Sequence, residues 1–123
     1  MSALAEAVLL RVFVQEEDRY GHHALYKALV AKALEQKMAG ATVLRGPLGF
    51  GRLRHVRSEL NVATGPGLPM VIEVVDSSEQ IDRFLPVLHE MVDSGLVTFK
   101  KVQAVRYRRQ DASQQGSNVV CST

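Results

Sequence analysis

The segment Gly46-Pro47-Leu48-Gly49-Phe50-Gly51-Arg52 carries three glycines in seven positions. Glycine lets backbone amides approach an anion where a side chain would stand in the way. The spacing is not that of the familiar phosphate loops. It lacks the dinucleotide-binding order with a helix behind it, and it lacks the Gly-Lys-Ser/Thr ending of a P-loop. A Gly-x-x-Gly loop of the KH type joins two helices, whereas this one leaves a strand. Two readings of the segment stand side by side, a ligand cradle and a β-hairpin arm.

Arg45, Arg52, Arg54 and Arg57, with His55, make this stretch basic. Such a cluster suits phosphate, an acidic protein partner or RNA, or else plain solvation. Arg106 and Arg108 alternate at the end of the last apolar run, so one strand face presents both to a common anion, or both keep an edge soluble. Nucleic acid is not the expected partner, because the net charge is only +2 and aromatic residues make up 6% of the chain, too few for a stacking platform. His22 and His23 are adjacent, point in different directions and lack metal-ligand spacing. His89 reads as a polar residue on a helix. Cys121 sits in a polar tail, no serine occupies a nucleophile elbow, and Glu16, Glu17 and Asp18 read as exposed loop charge. No catalytic set and no metal site emerge, and the chain is not expected to be an enzyme.

These residues need a frame. Residues 7–15 hold Val8, Leu9, Leu10, Val12, Phe13 and Val14, the apolar run of a central strand. After a polar stretch and Gly21, Leu25, Tyr26, Leu29, Val30 and Ala33 share one side of a helix expected to close at Gly40. Residues 41–45 form a short strand that runs into the 46–57 excursion, and 58–63 return from it. Thr64-Gly65-Pro66-Gly67 is a turn signal, and residues 69–76 make a second buried strand. Ser77 or Ser78 caps the next helix, whose stripe of Ile81, Phe84, Leu85, Leu88 and Val92 ends at Gly95, with a kink expected at Pro86. Residues 96–107 form the last strand, where Lys100 and Lys101 suggest an edge or a bend.

Strand, helix, strand, strand, helix, strand is the split βαβ order, an α+β ferredoxin-like βαββαβ sandwich with an antiparallel sheet and both helices on one face. Residues 1–6 read as an N-terminal extension, 7–108 as the single domain and 109–123 as a disordered tail. The first and third strands are apolar on both alternating sets of positions, so the open face is expected to meet copies of itself in a homotrimer. The 123 residues suffice for one core, and 46% hydrophobic with 23% charged residues is a globular composition. The apolar start is broken by Glu6 and Arg11 before reaching signal or membrane-span length, and a lone cysteine suits a reducing cytoplasm.

The segments Leu10-Arg11-Val12-Phe13, Asp18-Arg19-Tyr20, Gly40-Ala41-Thr42-Val43-Leu44-Arg45-Gly46, Gly49-Phe50-Gly51, Pro69-Met70-Val71-Ile72-Glu73-Val74-Val75-Asp76 and Arg83-Phe84-Leu85-Pro86 together resemble the family called domain of unknown function 190, over residues 8–107. That family is similar in fold to the trimeric PII signalling proteins. More distantly, Thr42-Val43 with Gly49-Phe50-Gly51-Arg52 resembles the base of the PII T-loop, and Val105-Arg106-Tyr107-Arg108 resembles its C-terminal Arg-x-Arg pair.

The resemblance implies a PII-like trimeric regulator that senses an adenine nucleotide or another anionic effector between subunits. Arg45, Gly46, Gly49, Phe50, Gly51, Arg52, Arg106 and Arg108 would form the site, with Gly49 and Gly51 approaching by backbone and Arg106 and Arg108 meeting phosphate. Leu53 stands where PII has a glutamine, and the Gly-Asp-Gly-Lys phosphate loop is missing between Ser94 and Lys101. The resemblance also suggests a partner in membrane transport. Two other readings remain, a ligand-independent interaction or structural protein and a small trimeric enzyme.

Overall fold

Alternation along the first strand decides which way the sheet faces. In β1 (Leu4–Gln15) the side chains of Leu10, Val12 and Val14 are buried, while Arg11 and Phe13 between them are exposed, as period-two geometry requires. A computed structural model describes residues 4–51, 54–61 and 67–107. It continues through a short hairpin of β2 (Arg19–Tyr20) and β3 (His23–Ala24) into α1 (Leu25–Glu35), followed by β4 (Thr42–Arg45). A second short hairpin, β5 (Leu48–Gly49) with β6 (Arg57–Ser58), leads to a 3-10 turn at Glu59–Asn61. Then come β7 (Pro69–Asp76), α2 (Ser78–Met91) and β8 (Leu96–Val105).

The main sheet has the order β4-β7-β1-β8, and every pairing in it is antiparallel. This is the ferredoxin-like interleaving of two βαβ units expected from the sequence. Leu10, Val12, Met70, Ile72 and Val74 from the sheet meet Leu25, Leu29 and Ala33 of α1 and Ile81, Phe84, Leu88 and Met91 of α2 in one core. The opposite face carries Leu44, Val71, Phe13 and Leu96 in one row across all four strands. In the next row Thr42, Glu73, Arg11 and Thr98 line up, and Arg11 Nε is 2.7 Å from Glu73 Oε2.

Several boundaries differ from the sequence expectation; β8 ends at Val105 rather than residue 107, and the return expected at 58–63 is β6 with its 3-10 turn. β1 begins at Leu4 rather than residue 7, because β8 is long enough for Val105, Ala104 and Gln103 to pair with Leu4, Ala5 and Glu6; residues 4–6 thus belong to the sheet. α1 ends five residues before Gly40, with Lys37 in the left-handed conformation at φ 59°. The amides of Lys37 and Met38 donate to the Leu34 and Ala33 carbonyls, a Schellman closure that normally favours glycine. α2 runs through Pro86 and stops at Met91, which is buried, while Val92 is extended. The expected cap is there, with Ser77 Oγ accepting from the Gln80 amide at 3.2 Å. The β2–β3 hairpin escaped the sequence reading. Its turn holds Gly21 at φ 62°, a backbone region that glycine enters without strain. The tail at 109–123 lies outside the described residues.

Phe84 is among the largest fully buried side chains. Phe84→Ala is expected to cost about 3–5 kcal/mol, read as a lower urea midpoint at a fixed protein concentration.

Candidate functional site

The chain turns back at one end of the sheet in four places, and a cavity of about 540 Å³ opens among those turns. The end of β1 supplies Phe13, Val14, Gln15, Glu17 and Asp18, and the glycine-rich hairpin adds Phe50, Gly51, His55 and Arg57. Pro69 and Met70 come from the start of β7, and Ser94, Gly95 and Leu96 from the approach to β8. The volume is that of a small-molecule site, with apolar walls and a few convergent polar groups.

Carboxylates hold the hairpin in place. Glu16 Oε2 is 2.8 Å from Arg45 Nη2 where β4 ends, and Glu17 Oε2 is 2.6 Å from Arg57 Nη1 where the hairpin returns. Glu16 also accepts the Leu68 amide through Oε1 at 3.0 Å and gives its own amide to the Leu68 carbonyl at 2.9 Å. Arg57 Nη1 makes a second contact, 3.1 Å to the Gly67 carbonyl. Asp18 works differently, closing the exit of β1 by accepting the Gln15 amide at 2.9 Å and the Leu25 amide, through its carbonyl, at 2.8 Å. The sequence reading of exposed loop charge holds for Glu17, which is 44% exposed, and is corrected for Glu16 and Asp18, which are half-buried; each of the three fixes a named backbone or arginine partner.

Gln15 is the polar centre of the wall. Its Oε1 is, among the described residues, the one buried side-chain polar atom without a hydrogen-bond partner. An orphan of this kind costs roughly 1–3 kcal/mol, and its side chain borders the cavity. Gly51 lies against the same side chain, since a Cβ on Gly51 would stand 2.7 Å from Gln15 Nε2. A Cβ on Gly49 would meet Pro69 Cγ at 3.1 Å. The missing side chains let the hairpin lie flat on the end of the sheet.

Of the residues expected from the sequence, Phe50 and Gly51 line the cavity. Gly49 packs on Pro69 beside it, and Gly46 donates its amide to the Pro69 carbonyl at 2.9 Å. Arg45 faces Glu16 and is half exposed. Arg106 follows β8 at the far end of a ten-residue strand that starts at the cavity, about 30 Å away at ~3.3 Å per residue. Arg52 and Arg108 lie outside the described residues. The sequence reading missed Gln15, Glu17 and Arg57 as lining groups; the signal was the carboxylate pair Glu16-Glu17 facing arginines on both flanks of the excursion. A second, shallower groove between α2 and β8, lined by Leu85, His89, Val92 and Phe99 among others, gathers none of the expected residues. Among the described residues no cluster of His, Cys, Asp or Glu is placed to hold a metal ion, and no helix is long and apolar enough to cross a membrane.

The sequence profile of the DUF190 family, described as an uncharacterized ACR, matches residues 7–104. A UPF0166 protein of Aquifex aeolicus is 33% identical over 97 residues, covering 79% of this chain and 91% of its own. A protein of Thermus thermophilus described as PII-like and signaling superposes with a TM-score of 0.59 at 19% identity, over 82% of this chain and 91% of that one. CPII of Thiomonas intermedia, a nitrogen regulatory PII-like protein bound to ADP, AMP and bicarbonate, superposes with a TM-score of 0.57 at 13% identity, over 83% and 91% of the two chains. At these identities the two structures establish a shared fold.

The two arginine contacts differ in burial, with Arg57 at 5% side-chain exposure and Arg45 at 51%. Arg57→Met is expected to cost about 1–3 kcal/mol, and Arg45→Met less than about 1 kcal/mol. Parallel urea titrations at one protein concentration separate the two.

Proposed function

The chain belongs to the DUF190 family, and we propose that it is the subunit of a PII-like trimeric regulator that senses an adenine nucleotide or another anionic effector in clefts between subunits. The observation that carries this reading is the cavity under the glycine-rich hairpin. Phe13, Phe50, Met70 and Leu96 offer apolar area to a flat base, and Gln15 is the uncharged polar amide bordering it. The charges beside them do not suit phosphate, because Glu17 and Asp18 outnumber Arg57 on the wall. A nucleotide therefore needs cations from elsewhere.

Arg106 and Arg108 are the candidates for those cations. Arg106 is too far from the cavity of its own chain, and on this reading the end of a neighbour's β8 supplies it where three sheets pack about an axis. The uncovered sheet face supports such packing: Phe13 is 37% exposed, Leu44 48% and Leu96 58%, an apolar row of the kind that marks an interface. The bound ADP and AMP of the CPII structure support nucleotide as the class of effector. Arg45, Gly46 and Gly49 then serve as the hinge of the hairpin, with Gly51 and Phe50 at the ligand. Binding would reposition the hairpin for a partner such as a membrane transport protein, and on this reading the protein works in the cytoplasm. On this reading the protein regulates and catalyses nothing.

Calorimetric titration with AMP, ADP, ATP and cyclic nucleotides tests the proposal. Binding by one of them is expected, weakened about tenfold or more by Arg106→Ala; absence of heat with all of them removes the nucleotide reading. Sedimentation equilibrium is expected to give three times the chain mass, and a monomer would abolish the clefts.

A further inference from the structure

We propose that Glu17 acts as an internal ligand of Arg57, occupying the place of an effector's oxyanion and latching the hairpin shut until a compact oxyanion takes its position. The proposal deepens the sensing function above and rests on it. Three observations carry it.

The pair is lopsided in burial. Arg57 keeps 5% of its side chain exposed, whereas Glu17 keeps 44%. A buried guanidinium demands a partner at all times, because a cation left unpaired away from water is costly. A carboxylate that is nearly half solvated can leave at little cost and be hydrated. Arg57 thus needs an anion at that position, while Glu17 does not need Arg57.

The position also lies on the wall of the cavity. Glu17 and Arg57 both line it, so a second oxyanion entering that space meets the same guanidinium, whose planar fork accepts carboxylate and phosphate alike. The chain's own carboxylate is the competitor such an anion has to displace.

The contact joins the parts that would move. Glu17 follows β1, in the rigid centre of the sheet, while Arg57 lies in β6, the returning strand of the hairpin. The carbonyl of Gly67, which shares Arg57 Nη1, leads directly into β7. Glu16, one residue earlier, takes Arg45 and Leu68 instead, so it anchors the frame on either side of the hairpin while Glu17 holds the hairpin itself. Exchange of Glu17 for a free anion severs the direct link from β1 to β6 and leaves Arg57 satisfied.

The test compares wild type with Glu17→Gln, which keeps the shape of the side chain and removes its charge at a half-exposed site. Acetate, inorganic phosphate and AMP are titrated separately, followed by chemical shifts and by hydrogen exchange of the Leu48, Gly49, Ser58 and Glu59 amides. Glu17→Gln is expected to bind acetate or phosphate about tenfold more tightly than wild type. Its hairpin amides should exchange fast without anion, whereas those of wild type should speed up only on adding it. A gain confined to acetate identifies a free carboxylate-class effector, and a gain shared by phosphate and AMP identifies the nucleotide's own phosphate. Equal oxyanion affinity in the two proteins, with equal hairpin exchange, overturns the latch even if AMP binds both, in which case nucleotide sensing survives without it. Tighter oxyanion binding by Glu17→Gln with no AMP binding to either supports the latch and removes the nucleotide reading instead.

Discussion

A four-stranded sheet with both helices on one side has a second face, and the described residues leave it partly exposed. Here that face is not made polar, as it would be for a sheet meant to stay in water. Leu44, Val71, Phe13 and Leu96 cross it in one row, and the next row is interrupted by the Arg11–Glu73 ion pair. Apolar area asks for burial, and a centred, already paired charge fixes the register in which burial is tolerated. The proposed trimer answers both demands with copies of the same surface. The proposed clefts follow from it, since the cavity and Arg106 lie at opposite ends of β8 and only a neighbour can bring them together.

Within one chain the corner is held by short polar contacts rather than by the core. Glu16 and Glu17 are consecutive, so the turn after β1 points one carboxylate toward Arg45 and the next toward Arg57. Glycine makes the close approach possible, with Gly51 against Gln15 and Gly49 against Pro69. The hairpin therefore rests on the sheet through a few exchangeable contacts, while β1 and β7 beneath it share eight paired residues. Local stability of this unequal kind suits an element that moves on binding while its frame stays fixed.

Much of the frame was legible in the sequence. Nearly continuous apolar runs gave β1 and β7, the spacing of Ile81, Phe84 and Leu88 gave α2, and the element order gave the topology. What was misplaced was decided by backbone pairing: β1 reaches Leu4 because β8 is there to pair with it, and α1 stops at Glu35 because the Lys37 and Met38 amides find carbonyls early. The site was legible only in part. Glycine density led to Phe50 and Gly51, but Glu17 and Arg57 are 40 residues apart, and no local pattern announces a contact over that distance. Arg45 and Gly46 carried the right chemistry at the wrong depth, since Glu16 and Pro69 already occupy them.

On the proposed reading a binding site is shared between two subunits, one giving the hairpin base and the other the end of β8. Subunit mixing tests it directly. Gln15→Leu removes the polar amide from the cavity wall and Arg106→Ala the opposing cation, so homotrimers of either variant should bind nucleotide poorly. Co-refolded in equal amounts, random assembly leaves about a quarter of the clefts with both halves intact, and binding at about a quarter of the wild-type capacity is the predicted result. Mixtures that bind no better than the separate variants would contradict the shared site.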